Sequence, residues 1–318
     1  MTRIVLGTRG SDLARAQTSL VESALRAAHP ELDVMVEVIT TRGDEKIGAG
    51  PQLAGSEEHL SGAGRKGHFT AEIERALLHG QIDVAVHSAK DLPSDGTSGL
   101  KVCATLVRGP VEDVLLTKDA RDLRSLPAGA TVATGSVRRQ YQLRHFRADL
   151  ELVDLRGNVP TRLRKLAENP WDAIILARAG LERLGFDCAS GEIEVEDQIF
   201  RSVVLSAGEF LPAGGQGVVA LQVRSADEHV VHAVKPLNHL ETLLCLRAER
   251  EFLRLLQGDC GTPVGVLATY RADSMTMKAQ LFEKMRPEPR AASLHRKLGG
   301  KYEPESIAAE LLDLINGE

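Results

Sequence analysis

The first two-thirds of the chain alternate short apolar runs with amphipathic helical segments, and this alternation limits the possible folds more than any other feature. Leu13, Ala16, Leu20 and Ala24 form one apolar stripe at helical spacing, directly after a strand-like run. The strand-like runs lie at residues 4–6, 33–40, 82–87, 102–106, 114–116, 131–133, 150–155 and 173–176. Strands that alternate with helices are typical of α/β domains with parallel or mixed sheets. We therefore predict an α/β fold.

The last third has a different order of elements. A long helical segment at residues 240–256 precedes three consecutive strand-like runs at 264–270, 275–282 and 291–298. A closing helix is indicated by Ile307, Leu311, Leu314 and Ile315. This order predicts a small α+β domain. The chain has 318 residues, which is more than one hydrophobic core normally serves, so two or three domains are expected.

Local signals place several helix starts and one long connection. Ser11 or Asp12 is suited to cap the first helix, and Ser136 is suited to cap a helix at residues 137–146. Pro160 is compatible with the first turn of a helix that carries Leu163 and Leu166. Residues 43–67 are rich in glycine and weakly periodic, which predicts a loop that serves as a lid or a connection.

The charge distribution favours a small anionic ligand. The net charge of −5 argues against general nucleic-acid binding. Residues 137–165 nevertheless contain eight basic and three acidic residues, namely Arg138, Arg139, Arg144, Arg147, Arg156, Arg162, Arg164 and Lys165 against Asp149, Glu151 and Asp154. No residue cluster has the spacing of a metal site, and no signal peptide or membrane-spanning run is evident. We expect a cytoplasmic protein with no membrane or nucleic-acid partner and no metal.

The first chemical signal is Val-His-Ser-Ala-Lys-Asp-Leu-Pro at residues 86–93. A buried strand ends there in a turn that presents Lys90 and Asp91, and ligands of α/β folds bind at the carboxyl ends of strands. The pair by itself is also compatible with an ordinary surface ion pair of little energetic consequence.

Two strand-to-helix turns carry paired arginines. Thr-Gly-Ser-Val-Arg-Arg-Gln occupies residues 134–140, and Arg-Gly-Asn-Val-Pro-Thr-Arg occupies 156–162. Cations in a first helical turn oppose the helix dipole, whereas a bound anion would reverse that penalty. An exposed basic helix start is the alternative. Arg183, Arg9 and Ser11 lie at comparable turns, so we predict a cleft for a molecule with several carboxylates, which planar guanidinium groups bind well.

The four cysteines differ in their surroundings. Cys260 lies in a glycine-rich loop, Gln-Gly-Asp-Cys-Gly-Thr-Pro, at residues 257–263. Cys103 and Cys245 lie within apolar segments, where cysteine commonly fills the core. Cys188 lies in a polar segment and is expected to be exposed. Reactivity requires a stabilised thiolate, so a loop position alone does not establish a reactive thiol at Cys260.

Taken together, these strings resemble the porphobilinogen deaminase family over nearly the whole chain. The resemblance implies three domains, of which two are α/β lobes like those of periplasmic binding proteins and the third is a small α+β domain. Domain 1 would comprise residues 1–106 and 212–235, domain 2 residues 110–206, and domain 3 residues 238–318 with the cofactor cysteine. It also implies a transferase that joins four porphobilinogen molecules into hydroxymethylbilane with release of ammonia, in tetrapyrrole (porphyrin and haem) biosynthesis.

The resemblance further assigns roles to individual residues. Asp91 would be the catalytic carboxylate, and Cys260 would carry one covalent dipyrromethane cofactor per chain. Cofactor contacts would come from Lys90, Asp91, Thr134, Ser136, Arg138, Arg139 and Arg162, and substrate contacts from Arg9, Ser11, Arg156, Arg162 and Arg183. Lys66 and Phe69 would belong to a loop over the site. Porphobilinogen would be the small-molecule partner, and we expect a monomer.

Two other functions remain compatible with part of the pattern. A non-catalytic two-lobed binding protein for an anionic metabolite would explain the lobes and the arginines, but it would leave Asp91 and Cys260 without a role. A two-lobed regulatory domain, as in some transcription factors, would explain the same lobes. The chain shows no helix-turn-helix segment or basic tail to support that function.

Overall fold

The computed structural model describes residues 3–39, 62–257, 262–283, 288–299 and 303–317, without the side chains of residues 62–69. Its strands are β1 (Arg3–Thr8), β2 (Asp33–Val38), β3 (Val84–Ser88), β4 (Leu100–Thr105), β5 (Asp113–Thr117), β6 (Thr131–Ala133), β7 (Glu151–Val153), β8 (Ala173–Ala177), β9 (Glu192–Val195), β10 (Gln198–Leu205), β11 (Val219–Arg224), β12 (Val264–Arg271), β13 (Ser274–Leu281) and β14 (Arg290–Lys297). Its helices are α1 (Asp12–Ala28), α2 (Gly62–Leu78), α3 (Val137–Phe146), α4 (Val159–Glu168), α5 (Arg178–Arg183), α6 (Glu228–Val234), α7 (Leu240–Leu255) and α8 (Pro304–Asn316), with 3₁₀ helices at Ala89–Asp91 and Lys235–Leu237.

The first lobe is built on a sheet in the order β2-β1-β3-β11-β4. β1 runs parallel to β2 and β3, whereas β11 runs antiparallel to β3 and β4. Val21 and Leu25 of α1 pack with Leu6 on one face, and Ile73 of α2 packs with Ala85 on the other. The helices on both faces bury the interior strands of this mixed sheet, whereas the edge strand β2 stays largely exposed, with Met35 at 43% and Val36 at 41%.

The second lobe has a sheet in the order β7-β6-β8-β5-β10-β9. β6, β7 and β8 are parallel, and β5 and β10 are antiparallel to their neighbours. Leu163 of α4 packs on one face with Leu116, and Leu143 of α3 packs on the other with Leu115. The alternation of Leu115 and Leu116 between two faces follows from the two-residue period of a strand.

The third domain has the predicted α+β form. β12, β13 and β14 make an antiparallel sheet in chain order, and α7 and α8 cover one face of it. Phe252 of α7 and Leu311 of α8 meet Val266 and Met277 in a single core. The predicted fold class, two α/β lobes and a small α+β domain, is therefore confirmed.

Several local predictions were wrong. Leu20 is 49% exposed, and the residues that α1 buries include Gln17, Val21 and Leu25. Leu13 instead lies close to the second lobe, because a Cβ at Gly180 of α5 would be 3.5 Å from Leu13 Cδ2, and Ala16 and Leu20 line a groove together with Ala179 of the same helix. The predicted loop at 43–67 includes a helical part, because α2 begins at Gly62, and residues 43–61 lie outside the described residues.

Some elements were not predicted at all. The β9–β10 hairpin and α6 carry no strong sequence signal, and the hairpin turn uses left-handed backbone at Glu196 and Asp197. The return of the chain to the first lobe was implied by the family resemblance, and β11 does lie in the first sheet, between β3 and β4. The domain boundaries themselves stay a prediction.

Two segments connect the lobes: one leads from β4 to β5 and contains Arg108, and the other leads from β10 back to β11 and contains Gly215. A buried ion pair joins the third domain to these segments. Arg108 donates to both carboxylate oxygens of Glu249 on α7 (2.7 and 3.1 Å) and to the Gln216 carbonyl (2.9 Å). Glu249 also accepts the backbone N–H groups of Gly215 (2.6 Å) and Ala268 (2.8 Å). One carboxylate therefore contacts a connecting segment, the returning chain and β12.

The two connecting segments approach each other closely at two glycines. The Gly109 N–H donates to the Gly217 carbonyl at 3.1 Å. Gly217 has φ +83°, and a Cβ there would lie 2.5 Å from the Gly109 oxygen. Only glycine meets both conditions without displacing the backbone.

Replacement of Glu249 by Gln tests this junction. The Glu249 side chain is fully buried and that of Arg108 is 12% exposed, so the variant leaves a buried guanidinium without its counter-ion. We expect a loss of about 3–5 kcal/mol in the free energy of unfolding, measured by urea denaturation.

Glu305→Gln is the matched control, because Glu305 makes a similar two-bond pair with Arg247 (2.7 and 2.9 Å) at the surface. That variant should change stability by less than about 1 kcal/mol. Equal losses in the two variants would contradict a special role for the buried pair.

Candidate active site

The topology places the candidate residues of the first lobe at one sheet edge. β1 and β3 are parallel, so their carboxyl ends lie side by side. Arg9 and Ser11 follow β1, and Lys90 and Asp91 lie in the 3₁₀ helix that follows β3. Ser11 caps α1 by accepting the Ala14 N–H at 3.4 Å. The four residues predicted from separate motifs are therefore brought to the same end of the lobe.

The same rule applies to the second lobe. β6, β7 and β8 are parallel, and the basic turns follow their carboxyl ends. Thr134 is fully buried and accepts the Ser136 N–H (3.3 Å), while Ser136 caps α3 through the Arg139 N–H (3.5 Å). Each hydroxyl accepts through its oxygen and keeps an O–H hydrogen for another acceptor.

Arg138 and Arg139 share an internal carboxylate that was not predicted. Their NH2 groups donate to the two oxygens of Asp113 at 2.7 and 2.6 Å. Arg138 also donates to the Leu211 carbonyl (2.6 Å), and Arg139 donates to the Ile175 carbonyl (3.0 Å). The two arginines are 5% and 6% exposed, and Asp113 is fully buried. The two guanidinium groups that were predicted to bind a ligand anion are therefore already paired with a carboxylate of the protein itself.

The electrostatics of this cluster favour its ionised form. Burial alone would raise the pKa of Asp113, but Arg138 and Arg139 outweigh it and hold the pKa well below the usual range. Burial lowers the pKa of Arg138, and Asp113 counteracts this. The negative charge also offsets the unfavourable placement of two cations at the α3 N-terminus.

Asp113 reaches this position because β5 runs antiparallel to β8. Asp113 is therefore the first residue of β5 and lies opposite Ala177, the last residue of β8. Gln216 adds a donor to Asp113 at 3.0 Å and another to the Val111 carbonyl at 2.7 Å, which ties the cluster to the returning chain. No local signal identified Asp113, since strand direction cannot be read from its own residues.

Arg162 connects the second lobe to the first electrostatically. It donates from Nε to the Gly157 carbonyl at 2.7 Å. Its pKa is lowered to about 10, mainly by burial and then by Arg139, whereas Asp91 acts in the opposite direction. The charge of Asp91 in the first lobe therefore acts on Arg162 in the second.

The remaining predicted cations of the second lobe, Arg156 and Arg183, have different surroundings. Arg156 is half exposed and pairs with Asp154 at 2.6 Å. Arg183 donates to the Gly217 carbonyl (2.6 Å) at the connecting segments, and burial lowers its pKa. A small cavity of about 20 Å³ beside it is also lined by Lys90 and Gln17. A larger groove of about 350 Å³ at the same junction is lined by Arg183 but contains neither Asp91 nor Arg162.

Three predicted residues cannot be placed. Cys260 and the side chains of Lys66 and Phe69 lie outside the described residues.

Of the other cysteines, Cys188 is 1% exposed, so its expected exposure was wrong. In the part of the chain that the structure describes, no helix is long and apolar enough to cross a membrane. The same residues contain no group of three or more side chains placed to hold a metal ion.

The two sheets, the third domain and the arginine-bearing turns at the strand ends define a two-lobed α/β protein with a basic site suited to an anionic ligand. Residues 4–232 match the family model "Porphobilinogen deaminase, dipyromethane cofactor binding domain", and residues 243–299 match "Porphobilinogen deaminase, C-terminal domain". The chain belongs to the porphobilinogen deaminase family.

Curated relatives agree with this placement over most of the chain. A porphobilinogen deaminase of Roseiflexus sp. (strain RS-1) is 44% identical over 278 residues, which are 87% of this chain and 85% of the relative. One from Desulforudis audaxviator (strain MP104C) is 38% identical and covers 99% and 96% of the two chains. Among solved structures, the methionine binding protein MetQ has 14% identity and a TM-score of 0.43 over 74% of this chain and 89% of MetQ.

Membership in this family decides between the three functions that the sequence left open. The chain is an enzyme of the hydroxymethylbilane synthase type that acts in tetrapyrrole biosynthesis, not a binding protein or a regulatory domain. Its dipyrromethane cofactor belongs to the matched domain, and its substrate is porphobilinogen.

Asp113→Asn tests the internal carboxylate. The variant leaves two buried guanidinium groups without their shared counter-ion, so we expect a loss of about 3–5 kcal/mol near neutral pH. Because the folded pKa is depressed, the stabilisation is fully present above the unfolded value of about 4 and is lost as the pH falls through the folded pKa.

The pH dependence provides the second measurement. Thermal unfolding midpoints from neutral to acid pH should fall more steeply for the wild type than for Asp113→Asn below about pH 4. Asp187→Asn, at an exposed position, should keep the wild-type profile. Parallel profiles for wild type and Asp113→Asn would show that this carboxylate has an ordinary pKa.

Proposed function

We propose that the cleft between the lobes holds the dipyrromethane cofactor and porphobilinogen, with Asp91 as the catalytic carboxylate. The observation that carries this proposal is that the charge of Asp91, in the first lobe, raises the pKa of Arg162, in the second, against the lowering effect of burial. A carboxylate for the reacting pyrrole and a cation for its acid side chains then face each other. Charge complementarity of this kind positions a substrate before the reaction.

The residues of the second lobe fit a ligand with several carboxylates. Arg139 is almost completely buried, and its Nε and that of Arg138 have no hydrogen-bond acceptor among the described atoms. Arg162 is oriented through only one of its five possible donors in the contacts above. Guanidinium groups held in this way bind carboxylates strongly, because little side-chain freedom is lost on binding.

The individual contacts are assigned as follows. The cofactor is held by Cys260 covalently and by Lys90, Asp91, Thr134, Ser136, Arg138, Arg139 and Arg162, and the substrate by Arg9, Ser11, Arg156, Arg162 and Arg183. Arg138 contributes chiefly its charge, since both of its terminal nitrogens already donate to the protein. Lys66 and Phe69 are assigned to the segment over the cleft.

The bound dipyrromethane supplies the electron-rich pyrrole carbon to which the first substrate unit is joined. Asp91 accepts hydrogen bonds from pyrrole N–H groups and stabilises the positive charge that develops on nitrogen as ammonia leaves porphobilinogen. The same carboxylate is placed to assist the later proton transfer. The arginines hold the acid side chains of the pyrroles and keep them away from Asp91, so that like charges do not oppose its ionisation.

The other thiols support Cys260 as the attachment site. Burial raises the pKa of Cys103 to about 11 and that of Cys245 to about 12, and it also raises the pKa of Cys188. Thiols with raised pKa values are poor nucleophiles at neutral pH. All three are free, which suits a reducing compartment, and we propose a cytoplasmic monomer. Sedimentation of the purified chain tests the oligomeric state.

Intact-mass measurement tests the tether. The chain purified from cells that make porphobilinogen should carry one adduct of two pyrrole units, because the primer stays on the enzyme. Cys260→Ser should lack the adduct, and Cys103→Ser, which alters a half-buried strand residue, should keep it. An unmodified wild-type mass, or an adduct retained in Cys260→Ser, would contradict the assignment.

Asp91→Asn tests the catalytic role. The side chain keeps its size but loses the charge, so porphobilinogen consumption should fall by at least about 100-fold while the fold and the adduct persist. Asp95→Asn, four residues away on the exposed part of the same segment, should retain turnover. Wild-type rates in Asp91→Asn would remove this residue from the mechanism.

A further inference from the structure

A chain of buried polar side chains lies against the strand that leads to Asp91. His87 Nε2 is 3.0 Å from Gln222 Oε1, and Gln222 Nε2 donates to Glu74 Oε1 at 2.8 Å. Thr97 Oγ1 donates to the other Glu74 oxygen at 2.8 Å. His87 and Gln222 are each 5% exposed, and Glu74 is 7% exposed. None of these residues belongs to the arginine-rich cleft.

The sheet register explains how these residues meet. In the antiparallel pair of β3 and β11, Ala220 lies opposite His87 and Gln222 lies opposite Ala85. Gln222 and His87 are therefore diagonal neighbours on one face of the sheet. α2 covers this face through Ile73 and Leu77, which pack on Ala85. The polar chain thus interrupts an otherwise apolar contact, which is costly unless every group is bonded.

The hydrogen bonds from His87 through Gln222 to Glu74 can be donated in only one direction. Both Glu74 oxygens accept, so the Gln222 NH2 group must face Glu74 and its carbonyl oxygen must face His87. That oxygen can only accept, and His87 must therefore carry its proton on Nε2. The neutral ring then has its lone pair on Nδ1. Glu74 consequently determines the tautomer of a histidine that it does not touch.

Charged groups from three elements act on His87. Glu74 on α2 and Asp91 in the adjoining turn raise its pKa, and Arg250 on α7 lowers it, while β11 contributes the neutral Gln222. Burial exceeds all of these and lowers the pKa to about 4, which leaves the ring neutral at physiological pH. Arg250 also donates to the Ser94 carbonyl at 3.5 Å, three residues beyond Asp91.

The opposite face of the same strand end is held as well. Gln17 of α1 donates to Ser88 Oγ at 2.8 Å, and the Ser88 hydroxyl donates back to Gln17 Oε1 at 3.0 Å. The Ala89 N–H donates to the Val218 carbonyl at 3.0 Å. The last residues before the turn are therefore bonded to α1 directly, to α2 through Gln222, and to the neighbouring segment at Val218, so the turn has little freedom to move.

We propose that Glu74 is a positioning residue for the reaction: through Gln222 it holds His87 as the neutral Nε2–H tautomer and so fixes the turn that carries Asp91. This inference rests on the proposed catalytic role of Asp91. A neutral imidazole in the strand just before the turn keeps its bond to Gln222 on β11 without adding a cation that would attract Asp91 and make it a weaker base. An apolar residue at Glu74 would fill the space but would release the histidine.

Nitrogen NMR of the ¹⁵N-histidine-labelled holoenzyme tests the tautomer directly. His87→Gln identifies the signals of His87 by their loss. The ring should show one protonated and one unprotonated nitrogen, with the proton on Nε2, and should not titrate between about pH 6 and 8. A proton on Nδ1, a mixture of tautomers, or titration in this range in the wild type would overturn the proposal.

Kinetics of Glu74→Gln test the consequence. The introduced amide can donate as well as accept, so Gln222 is no longer held in one direction and both His87 tautomers become populated. We expect kcat to fall by about tenfold to 100-fold with little change in KM, because the turn is displaced while the arginines still hold the substrate.

Asp83→Asn is the matched control. Asp83 directly precedes β3 at its other end, where its carboxylate accepts the Val5 N–H (2.9 Å) and pairs with Arg224 (2.8 Å). This variant should lower stability and leave kcat and the His87 signals unchanged. Equal kcat losses in Asp83→Asn and Glu74→Gln would mean that Glu74 acts only through stability.

The two proposals fail in different ways. Full activity in Asp91→Asn would refute the catalytic role, whatever the tautomer of His87. An inactive Asp91→Asn together with wild-type kcat and a single His87 tautomer in Glu74→Gln would refute only the positioning role. The wild-type NMR measurement remains decisive even if the Glu74 variant does not fold.

Discussion

The Asp113 carboxylate is the interaction on which the second lobe and its junction depend. It lies without solvent contact between Arg138 and Arg139, and Gln216 links it to the chain that returns to the first lobe. Loss of one member would leave an uncompensated buried charge, so the cluster is retained as a unit. Through Gln216 it adjoins the Arg108–Glu249 pair, which fixes the third domain at the same place.

This arrangement divides the arginines into two groups with different tasks. Arg138 is bonded mainly to the protein and maintains the shape of the turn, whereas Arg162 lies in the field of Asp91 from the facing lobe. Basic residues that are close together in the sequence therefore do not all contact the ligand. The internal carboxylate also keeps the net charge of the cleft wall lower than the sequence suggests.

The first lobe uses the complementary arrangement around its carboxylate. Asp91 follows a strand end that Gln17 and Ser88 hold on one side and that Glu74, Gln222 and His87 hold on the other. The bonds that hold this strand end come from amide, hydroxyl and imidazole groups together with the Glu74 carboxylate. These bonds hold the strand end without adding a further cation beside Asp91, whose attraction would lower the pKa of that carboxylate and make it a weaker base.

The sequence by itself determined most elements, the basic turns and the family, because these depend on contiguous residues. Helix α3 at Val137–Phe146, its Ser136 cap and the Asp91 turn are all local features. The roles of Asp113, Gln216 and Glu74 were decided only by the tertiary structure, since their partners lie 23 to 148 residues away. Whether β5 and β11 run antiparallel determines which side chains reach the edge and which face they share. That direction is set by pairing between distant strands, and no local pattern encodes it.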